Sequence, residues 1–525
     1  METGQKQNNI LNVLSKIPAL LLIPFVLCIL AVSLIKRAEF CGYKYGDKPV
    51  WIREDTVSLI LMVIFLLIVF IIVYWLCKKL DQFNRKKVVW LLLFLSAVVQ
   101  TAVILFLPAK QFADQDSVNR IALQVINGNF IHFQEKGYLY RYPNNVGITV
   151  LLSLIYSLFP DTILVPKLIN ILFSSITSYL VFRIYEETCS TKKDKGYGIL
   201  IFSGFFLPML LLNNLIYNDL IATTLFAGLV FHAIRFVKTK RWPHLVMISI
   251  LAIAGNFLRN VGVIFLIAIT LYFILNKIKI TKAFMFFGIV LILSQLPLAL
   301  VNGYLLNTGK ITEPLGENSI PIHMWINIGM NEKKIGYWDD AKSFNVYIHE
   351  GQWNKAKSTA IYTEMIKKNI KDRGAIGILE TYIKKNIWLW TEGTYQAEYY
   401  GIGSWGYLYP TFATEFIGNN MLIRDFVRWV LHTTNLLMLG LTTVGLFRSL
   451  KTRASLKYEY PLILPAIVLL GFIGFYTLWE IKPRYIYLIY PYLILMFYHG
   501  LAILADKLTR LLKHSSKPEE ININF

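Results

Sequence analysis

The sequence predicts an all-α, polytopic membrane protein, a helical bundle of about 12 transmembrane helices with further juxtamembrane helices on its outer surface. Of its 525 residues, 55% are hydrophobic and only 16% are charged, whereas soluble domains carry about 25% charged residues. This composition also excludes a disordered chain. The formal net charge is +21. Since cytoplasmic loops of membrane proteins collect such an excess, we expect no nucleic-acid partner.

The predicted spans are apolar runs of about 20 residues, long enough to cross about 30 Å of hydrocarbon as helices. The first run is too long for a cleaved signal sequence, and no clear cleavage site follows it, so we expect it to remain as an anchor. A further run at 144–160 is ambiguous from its length alone. The predicted spans lie at 17–36, 57–77, 88–108, 163–183, 197–216, 219–237, 244–258, 261–276, 283–302, 424–447, 461–479 and 485–505.

Loop charges decide how the run at 144–160 lies. Six basic segments fall on one side of the membrane only if this run does not cross it. We therefore predict an outer juxtamembrane or re-entrant helix there, and both termini in the cytoplasm. The outer loop 36–56 departs from the rule, because acidic residues only partly offset its basic ones. The six basic groups are Lys78, Lys79, Arg85, Lys86 and Lys87; Arg183, Lys192, Lys193 and Lys195; Arg235, Lys238, Lys240 and Arg241; Lys277, Lys279 and Lys282; Arg448, Lys451, Arg453 and Lys457; and Lys507, Arg510, Lys513 and Lys517.

Three regions follow from this topology. Residues 1–302 form an N-terminal transmembrane bundle that includes a first outer loop, 109–162. Residues 303–423 form a large extracytoplasmic loop with amphipathic helices, and residues 424–525 form the C-terminal transmembrane helices and a cytoplasmic tail. Ionisable residues near membrane depth are costly and usually functional. Because those without an orienting role gather in the outer loops and turns, we predict an active site on the outer face of the cell membrane.

The first outer loop begins with Asp114 and Asp116, directly after a span. In an extended segment these side chains face the same way, whereas in a helix they diverge by about 200°. The pair fits a general base beside a substrate hydroxyl, or a divalent-cation site. The structural alternative is that one of them caps a helix that begins near residue 118.

Other candidates follow along the chain. Arg141 and Tyr142 close the first outer loop, where they either bind a phosphate or a sugar or belong to an interfacial aromatic belt. Asn218 and Asp219 lie in a short outer turn. Arg259 interrupts a nearly continuous apolar stretch. It either pairs with Asp219 or clamps a phosphate through its guanidinium group.

An outer turn near the C-terminus contains Glu480, Lys482 and Arg484. Basic residues here oppose the positive-inside rule, so they indicate an anionic headgroup or a lipid phosphate, unless Arg484 only forms a helix-end salt bridge with Glu480. The large outer loop is rich in Trp and Tyr, which either stack on sugar rings or anchor the loop at the membrane interface. His323 is a titratable candidate in that loop.

These features together resemble the GT-C class of membrane glycosyltransferases. The stretch 114–116 (Asp-Gln-Asp), followed by 140–143 (Tyr-Arg-Tyr-Pro), is similar to the first loop of members that use polyprenyl- or dolichyl-phosphate sugars. The segment 480–491 resembles the ending of bacterial protein-mannosyltransferase-like families, and 322–331 resembles a motif of Gram-positive members that build cell-surface glycans. Many members carry an Asp-Glu pair in the first loop. Here the pair is Asp-x-Asp, which leaves open which carboxylate acts.

The resemblance implies an inverting transfer of a sugar from a polyprenyl-phosphate donor to an extracytoplasmic acceptor, which is a glycan, a lipid or a protein. Either Asp114 or Asp116 is then the catalytic base, and no cofactor or obligatory divalent metal is expected. The alternatives are a flippase for lipid-linked oligosaccharides, or a polymerase or ligase of surface polysaccharide. The expected donor-phosphate ligands are Arg259, Lys482 and Arg484, and the other expected substrate-binding residues are Arg141, Tyr142, Asn218, Asp219, His323 and Glu480.

Overall fold

In the computed structural model the chain is helical, with one two-stranded hairpin among the residues that the structure describes. These are residues 2–46, 48–160, 162–189, 194–451 and 462–515. The prediction of an all-α helical bundle is confirmed in this form. Several basic residues that support the predicted sidedness lie outside the described residues, namely Lys192, Lys193, Arg453, Lys457 and Lys517.

The first part of the bundle runs from α1 to α15 and includes the hairpin. Its elements are α1 Glu2–Ser33, β1 Lys36–Glu39, α2 Gly42–Tyr45, β2 Val50–Arg53, α3 Thr56–Lys79, α4 Arg85–Phe106, α5 Ala113–Ile126, α6 Tyr138–Arg141, α7 Val146–Leu158, α8 Leu164–Thr188, α9 Tyr197–Gly204, α10 Leu207–Leu212, α11 Asp219–Thr239, α12 Pro243–Leu258, α13 Gly262–Leu275, α14 Ile280–Leu293 and α15 Leu296–Asn307.

The remaining helices form the large outer segment and the C-terminal part of the bundle. They are α16 Ile322–Gly329, α17 Lys355–Glu392, α18 Ala397–Gly401, α19 Met421–Lys451, α20 Ile463–Leu478 and α21 Tyr490–Ser515. The region boundaries predicted after residues 302 and 423 fall inside α15 and α19. We call the chain that connects these two helices, residues 308–420, the outer segment, after its predicted side of the membrane.

Among the described residues, eight helical segments are long and apolar enough to cross a membrane, as in a multi-pass membrane protein. Shorter apolar helices lie at Pro143–Leu158, Pro243–Leu258, Gly262–Leu275 and Ile463–Leu478. The last three coincide with predicted spans, and the first is the run predicted not to cross. The total of about 12 spans stays a prediction. The eight longer segments are Val13–Ser33, Thr56–Gln82, Arg85–Phe106, Leu164–Thr188, Asp219–Thr239, Ile280–Asn307, Met421–Leu450 and Pro483–Leu512.

The prediction of one continuous span at 197–216 is wrong. The helix breaks at Phe205 and Phe206 into α9, with 8 residues, and α10, with 6. Pro208 lies in the first turn of α10. A proline ring clashes with the carbonyl group four residues before it, so α9 cannot continue through this position. Beyond the break, the buried Asn214 donates a hydrogen bond to the carbonyl oxygen of Leu107 at 2.9 Å and ties the turn to the end of α4.

The centre of the bundle is formed by α11, α19 and α21. Most residues in the apolar stretches of these helices are buried. Helix α11 packs on α8 and α12, and α19 packs on α1 and α21. In contrast, α3 and the pair α14–α15 leave most of their apolar side chains uncovered by protein. Helices that are apolar all round are typical of membrane spans. The three central helices are therefore enclosed by protein, and the exposed helices form the periphery.

The outer segment has a small core of its own, packed on α17. The longest helix in the loop predicted to carry amphipathic helices is α17, which breaks at Gly374, where φ is +64°. Glycine adopts this left-handed conformation without a steric cost. Beyond the break, α17 exposes Ile376, Leu379 and Ile383. The small core consists of Ile320, Met324, Ile328, Val346, Tyr347 and Tyr362.

Ion pairs hold Arg37, one of the basic residues of loop 36–56, which is predicted to lie on the outer side. Strands β1 and β2 pair antiparallel, and Arg37 on β1 pairs with Glu39 at 3.2 Å and with Glu54. Arg428 of α19 lies 3.8 Å from Glu39 and pairs with Glu398 at 3.0 Å. Buried charges persist in proteins when they are paired. Arg37 is therefore part of a buried ionic network that fixes the hairpin against α18 and α19.

Candidate functional site

A cavity of about 690 Å³ lies where the first outer loop and the outer segment meet the ends of α11, α12 and α20. Its volume is typical of a site for a small ligand. Asp116, Asp219 and His323 are not among its lining residues. His323 is half-buried on α16 and takes no part in the site. The predicted site residues that line the cavity are Asp114, Arg141, Tyr142, Asn218, Arg259, Glu480, Lys482 and Arg484.

Helix α5 separates the two carboxylates of the first outer loop. It begins at Ala113, so Asp114 and Asp116 both lie in its first turn and point in directions about 200° apart. Asp114 lines the cavity. Asp116 pairs with Arg120 at 2.7 Å, and both side chains are largely exposed. The helix-capping alternative is wrong, because the N-cap residue is Phe112 and no side chain caps the helix.

A buried chain of hydrogen bonds holds Asp114. The Tyr138 hydroxyl donates to Asp114 Oδ1 at 2.9 Å and accepts from Asn145 Nδ2 at 2.7 Å. The Tyr217 hydroxyl in turn donates to Asn145 Oδ1 at 2.8 Å. Burial raises the pKa of Tyr138 well above its usual value. Tyr138 therefore stays protonated and donates to one oxygen of Asp114, which leaves Oδ2 for a ligand.

Sequence patterns do not single out Tyr138, Asn145 and Tyr217 as site residues. All three line the cavity. The available signal is the dense run of tyrosine and asparagine at 138–145. Tyr217 is separated from Asn145 by 72 positions, so only the fold brings them together.

Two arginines meet at Asp219 on the cavity wall, and we call this arrangement the arginine clamp: Arg259, Arg484 and Asp219. Asp219 is fully buried and lies 2.6 Å from Arg259 Nη1 and 3.4 Å from Arg484 Nε. Asn218 accepts a further hydrogen bond from Arg259 at 3.2 Å. With two positive charges and one negative charge, the arginine clamp carries one net positive charge. Both arginines line the cavity, so the clamp can receive an anion.

Aromatic rings fix the planes of both guanidinium groups. The Arg259 guanidinium carbon lies 5.2 Å from the centroid of the Tyr485 ring. That of Arg484 lies 5.0 Å from Tyr217 and 4.9 Å from Tyr400. Stacking suits the flat guanidinium group better than the compact ammonium group of lysine. The clamp is therefore ordered before any ligand binds.

Lys385 of α17 supports the neighbouring wall. Its amine is fully buried and donates to the carbonyl oxygens of Gly329, at 2.7 Å, and Trp479, at 3.0 Å. Burial lowers the pKa of Lys385 to about 7. Next to Trp479, Glu480 accepts a hydrogen bond from the Tyr485 hydroxyl at 3.1 Å and lies 4.0 Å from Lys482. Lys385 thus ties α16 to the turn that carries the charged residues.

Apolar and aromatic side chains line the cavity alongside the charged ones. Trp479 stacks on Trp325, with centroids 6.2 Å apart, and on Phe475, with centroids 5.0 Å apart. Val261 and Val263 add aliphatic surface at the start of α13. A cavity lined by both charged and apolar side chains suits an amphiphilic ligand.

Over the described ranges, no three His, Cys, Asp or Glu side chains lie together so that they could hold a metal ion. The chain matches no family model, and no curated protein sequence matches it.

Proposed function

We propose that the protein is a GT-C-type membrane glycosyltransferase, which moves a sugar from a polyprenyl phosphate to a hydroxyl group of an extracytoplasmic acceptor. The observation that carries this proposal is one cavity lined by the hydrogen-bonded carboxylate of Asp114, by the arginine clamp and by apolar side chains. A lipid-linked sugar phosphate needs a cation for its phosphate and apolar surface for its chain. The proposed reaction takes place at the outer face of a multi-pass protein of the cell membrane whose termini are both cytoplasmic.

The arginine clamp is the proposed binding site for the donor phosphate. A phosphate that joins a lipid to a sugar is a diester with one negative charge, which balances the clamp's one net positive charge. Guanidinium groups bind phosphate oxygens through paired hydrogen bonds. Negative charge grows on these oxygens as the sugar leaves, and preorganised cations stabilise such a transition state. Lys482 lines the same cavity and adds a further positive charge.

Asp114 is the proposed general base. Its free oxygen, Oδ2, accepts the proton of the acceptor hydroxyl as that oxygen attacks the anomeric carbon. The bond between this carbon and the phosphate oxygen breaks at the same time, and the lipid phosphate leaves with both electrons. Attack opposite the leaving group inverts the anomeric centre. General-base catalysis contributes about 10²–10⁴-fold to such rates.

A matched pair of variants tests the proposal. The full-length protein in lipid nanodiscs receives a polyprenyl-phosphate sugar and an extract of the cell envelope as acceptor, and release of free polyprenyl phosphate is measured. Asp114→Asn should slow release by about 10²–10⁴-fold. Asp116→Asn should leave it nearly unchanged, because exposed ion pairs contribute little to structure.

Several results would count against the proposed function. Full activity in Asp114→Asn, with normal expression, would show that Asp114 is not the general base. Movement of the lipid-linked sugar between leaflets without cleavage of its phosphate bond would favour a flippase instead.

A further inference from the structure

Arg141 is a cavity cation with unused hydrogen-bonding capacity. Its Nε donates to the carbonyl oxygen of Gly137 at 3.2 Å. Within the described part of the chain, its terminal nitrogens have no hydrogen-bond acceptor, and no carboxylate lies within 4.0 Å of it. A guanidinium group has five N–H donors. Most of the donors of Arg141 are therefore available to a ligand in the cavity.

The other cations of the cavity each lie within 4.0 Å of a carboxylate. Arg259 and Arg484 share Asp219, and Lys482 lies near Glu480. A cation that is partly withdrawn from water is costly unless an anion compensates it. At Arg141 the compensating anion is not supplied by the described residues.

Aromatic rings hold Arg141 in place. Its guanidinium carbon lies 4.9 Å from the centroid of Phe344, and 5.7 Å from those of Tyr142 and Trp353. Phe344 and Trp353 belong to the outer segment, whose backbone also reaches Arg141, since the Ile320 amide donates to the Arg141 carbonyl oxygen at 3.2 Å. Rings that cover the faces of a guanidinium group leave its N–H edge for hydrogen bonds. The group is thus oriented without being neutralised.

Arg141 and the proposed base line the same cavity. Helix α6 runs from Tyr138, which donates to Asp114, to Arg141. Three residues of helix advance the chain by about 4.5 Å. A ligand that occupies this cavity can therefore contact both Arg141 and Asp114.

We propose that Arg141 binds an oxyanion, a phosphate or a carboxylate, which the acceptor carries close to the hydroxyl group that receives the sugar. The inference rests on the proposed function for the identity of the ligand as the acceptor. The anion takes no part in bond making. It fixes the acceptor so that the hydroxyl group faces Asp114 Oδ2, and it selects anionic over neutral acceptors.

The first test measures binding without catalysis. Phenylglyoxal modifies free guanidinium groups, and peptide mass spectrometry quantifies the modification of each arginine in the full-length protein in nanodiscs. sn-Glycerol 3-phosphate and glycerate should slow modification of Arg141, whereas glycerol should not. Arg120 is the internal control, because it is exposed and lies outside the cavity. Equal modification of Arg141 with glycerol 3-phosphate and with glycerol would overturn the proposal.

The second test measures selectivity, with the same compounds as acceptors for a polyprenyl-phosphate sugar. The wild type should prefer glycerol 3-phosphate to glycerol. Arg141→Gln should raise the KM for glycerol 3-phosphate by about 10- to 100-fold and leave that for glycerol unchanged. Arg120→Gln should change neither constant. If Arg141→Gln raised both KM values equally, the arginine would serve ring packing alone, and the inference would be wrong.

The two tests separate this inference from the proposed function. Protection of Arg141 by glycerol 3-phosphate, together with no release of lipid phosphate from any donor, would keep the anion site and reject the glycosyltransferase. Release of lipid phosphate without protection of Arg141 and without preference for the anionic acceptor would keep the glycosyltransferase and reject the anion site.

Discussion

Replacing Asp219 with asparagine removes the carboxylate that holds the arginine clamp together. The Asp219 side chain is 0% exposed, and those of Arg259 and Arg484 are 11% and 4% exposed. When one partner of a buried ion pair is removed, the remaining charge is uncompensated, which costs about 3–5 kcal/mol. We therefore expect Asp219→Asn to lower the free energy of unfolding by about 3–5 kcal/mol.

Asp116→Asn is the matched control for this prediction. The ion pair between Asp116 and Arg120 has a length of 2.7 Å, close to the 2.6 Å between Asp219 and Arg259, but its side chains are 41% and 69% exposed. Exposed pairs contribute about 0–1 kcal/mol. Because the two ion pairs have nearly the same length, the difference in unfolding free energy between the two variants reflects the difference in burial of the pairs.

The assay is unfolding by guanidinium chloride in mild detergent, followed through tryptophan fluorescence. The double variant Asp219→Asn/Arg484→Gln should lose less stability than the sum of the two single variants, because neighbouring charges couple. Equal losses in Asp219→Asn and Asp116→Asn, or strict additivity in the double variant, would refute the reasoning.

Three other predictions concern the cavity wall. Tyr138→Phe should lower kcat by about 10- to 100-fold at unchanged donor KM, since Asp114 loses the hydrogen bond that orients it. Arg484→Lys should raise the donor KM by about tenfold, because an ammonium group neither stacks nor binds phosphate through a fork. Burial lowers the pKa of Lys385 to about 7 from 10.5. The unfolded chain therefore binds a proton that the folded one lacks, and this residue makes stability rise between pH 7 and 10.5. In Lys385→Met that rise, measured by thermal unfolding, should disappear.

Each of these predictions has a contrary outcome. Tyr156→Phe is the control for Tyr138→Phe, because Tyr156 also donates to α5, through Asn119, but lies outside the cavity. Equal loss of kcat in both variants would mean that general damage to α5 explains the effect. An unchanged donor KM in Arg484→Lys would remove this arginine from phosphate binding. An undiminished pH dependence in Lys385→Met would assign the rise to other groups.

The sequence predicts the helical bundle because apolar runs of span length are a local signal. It cannot choose between Asp114 and Asp116, since the choice depends on where α5 begins and hence on which side chain faces the cavity. Arg259 pairs with Asp219, as one interpretation predicts, and it also lines the cavity, so this pairing does not exclude the phosphate clamp.

Long-range contacts mark the limit of prediction. Arg37 in loop 36–56 looks anomalous in the sequence because Glu398 and Arg428, which complete its ionic network, lie far along the chain. The break between α9 and α10 has a local cause, Pro208. The residues around this proline are almost all apolar, so the hydrophobic pattern still predicts one continuous span.

The carboxylate inside the arginine clamp also affects how the cycle ends. In the proposed reaction the lipid phosphate gains negative charge when its bond to the sugar breaks. Two arginines without a counter-charge would then hold the spent carrier more tightly than the loaded one, and slow product departure limits many enzymes. Asp219 weakens both complexes, but because the clamp keeps only one net positive charge, the spent carrier is not fully neutralised. We therefore expect the buried acid to favour its exit and rapid recycling of the lipid.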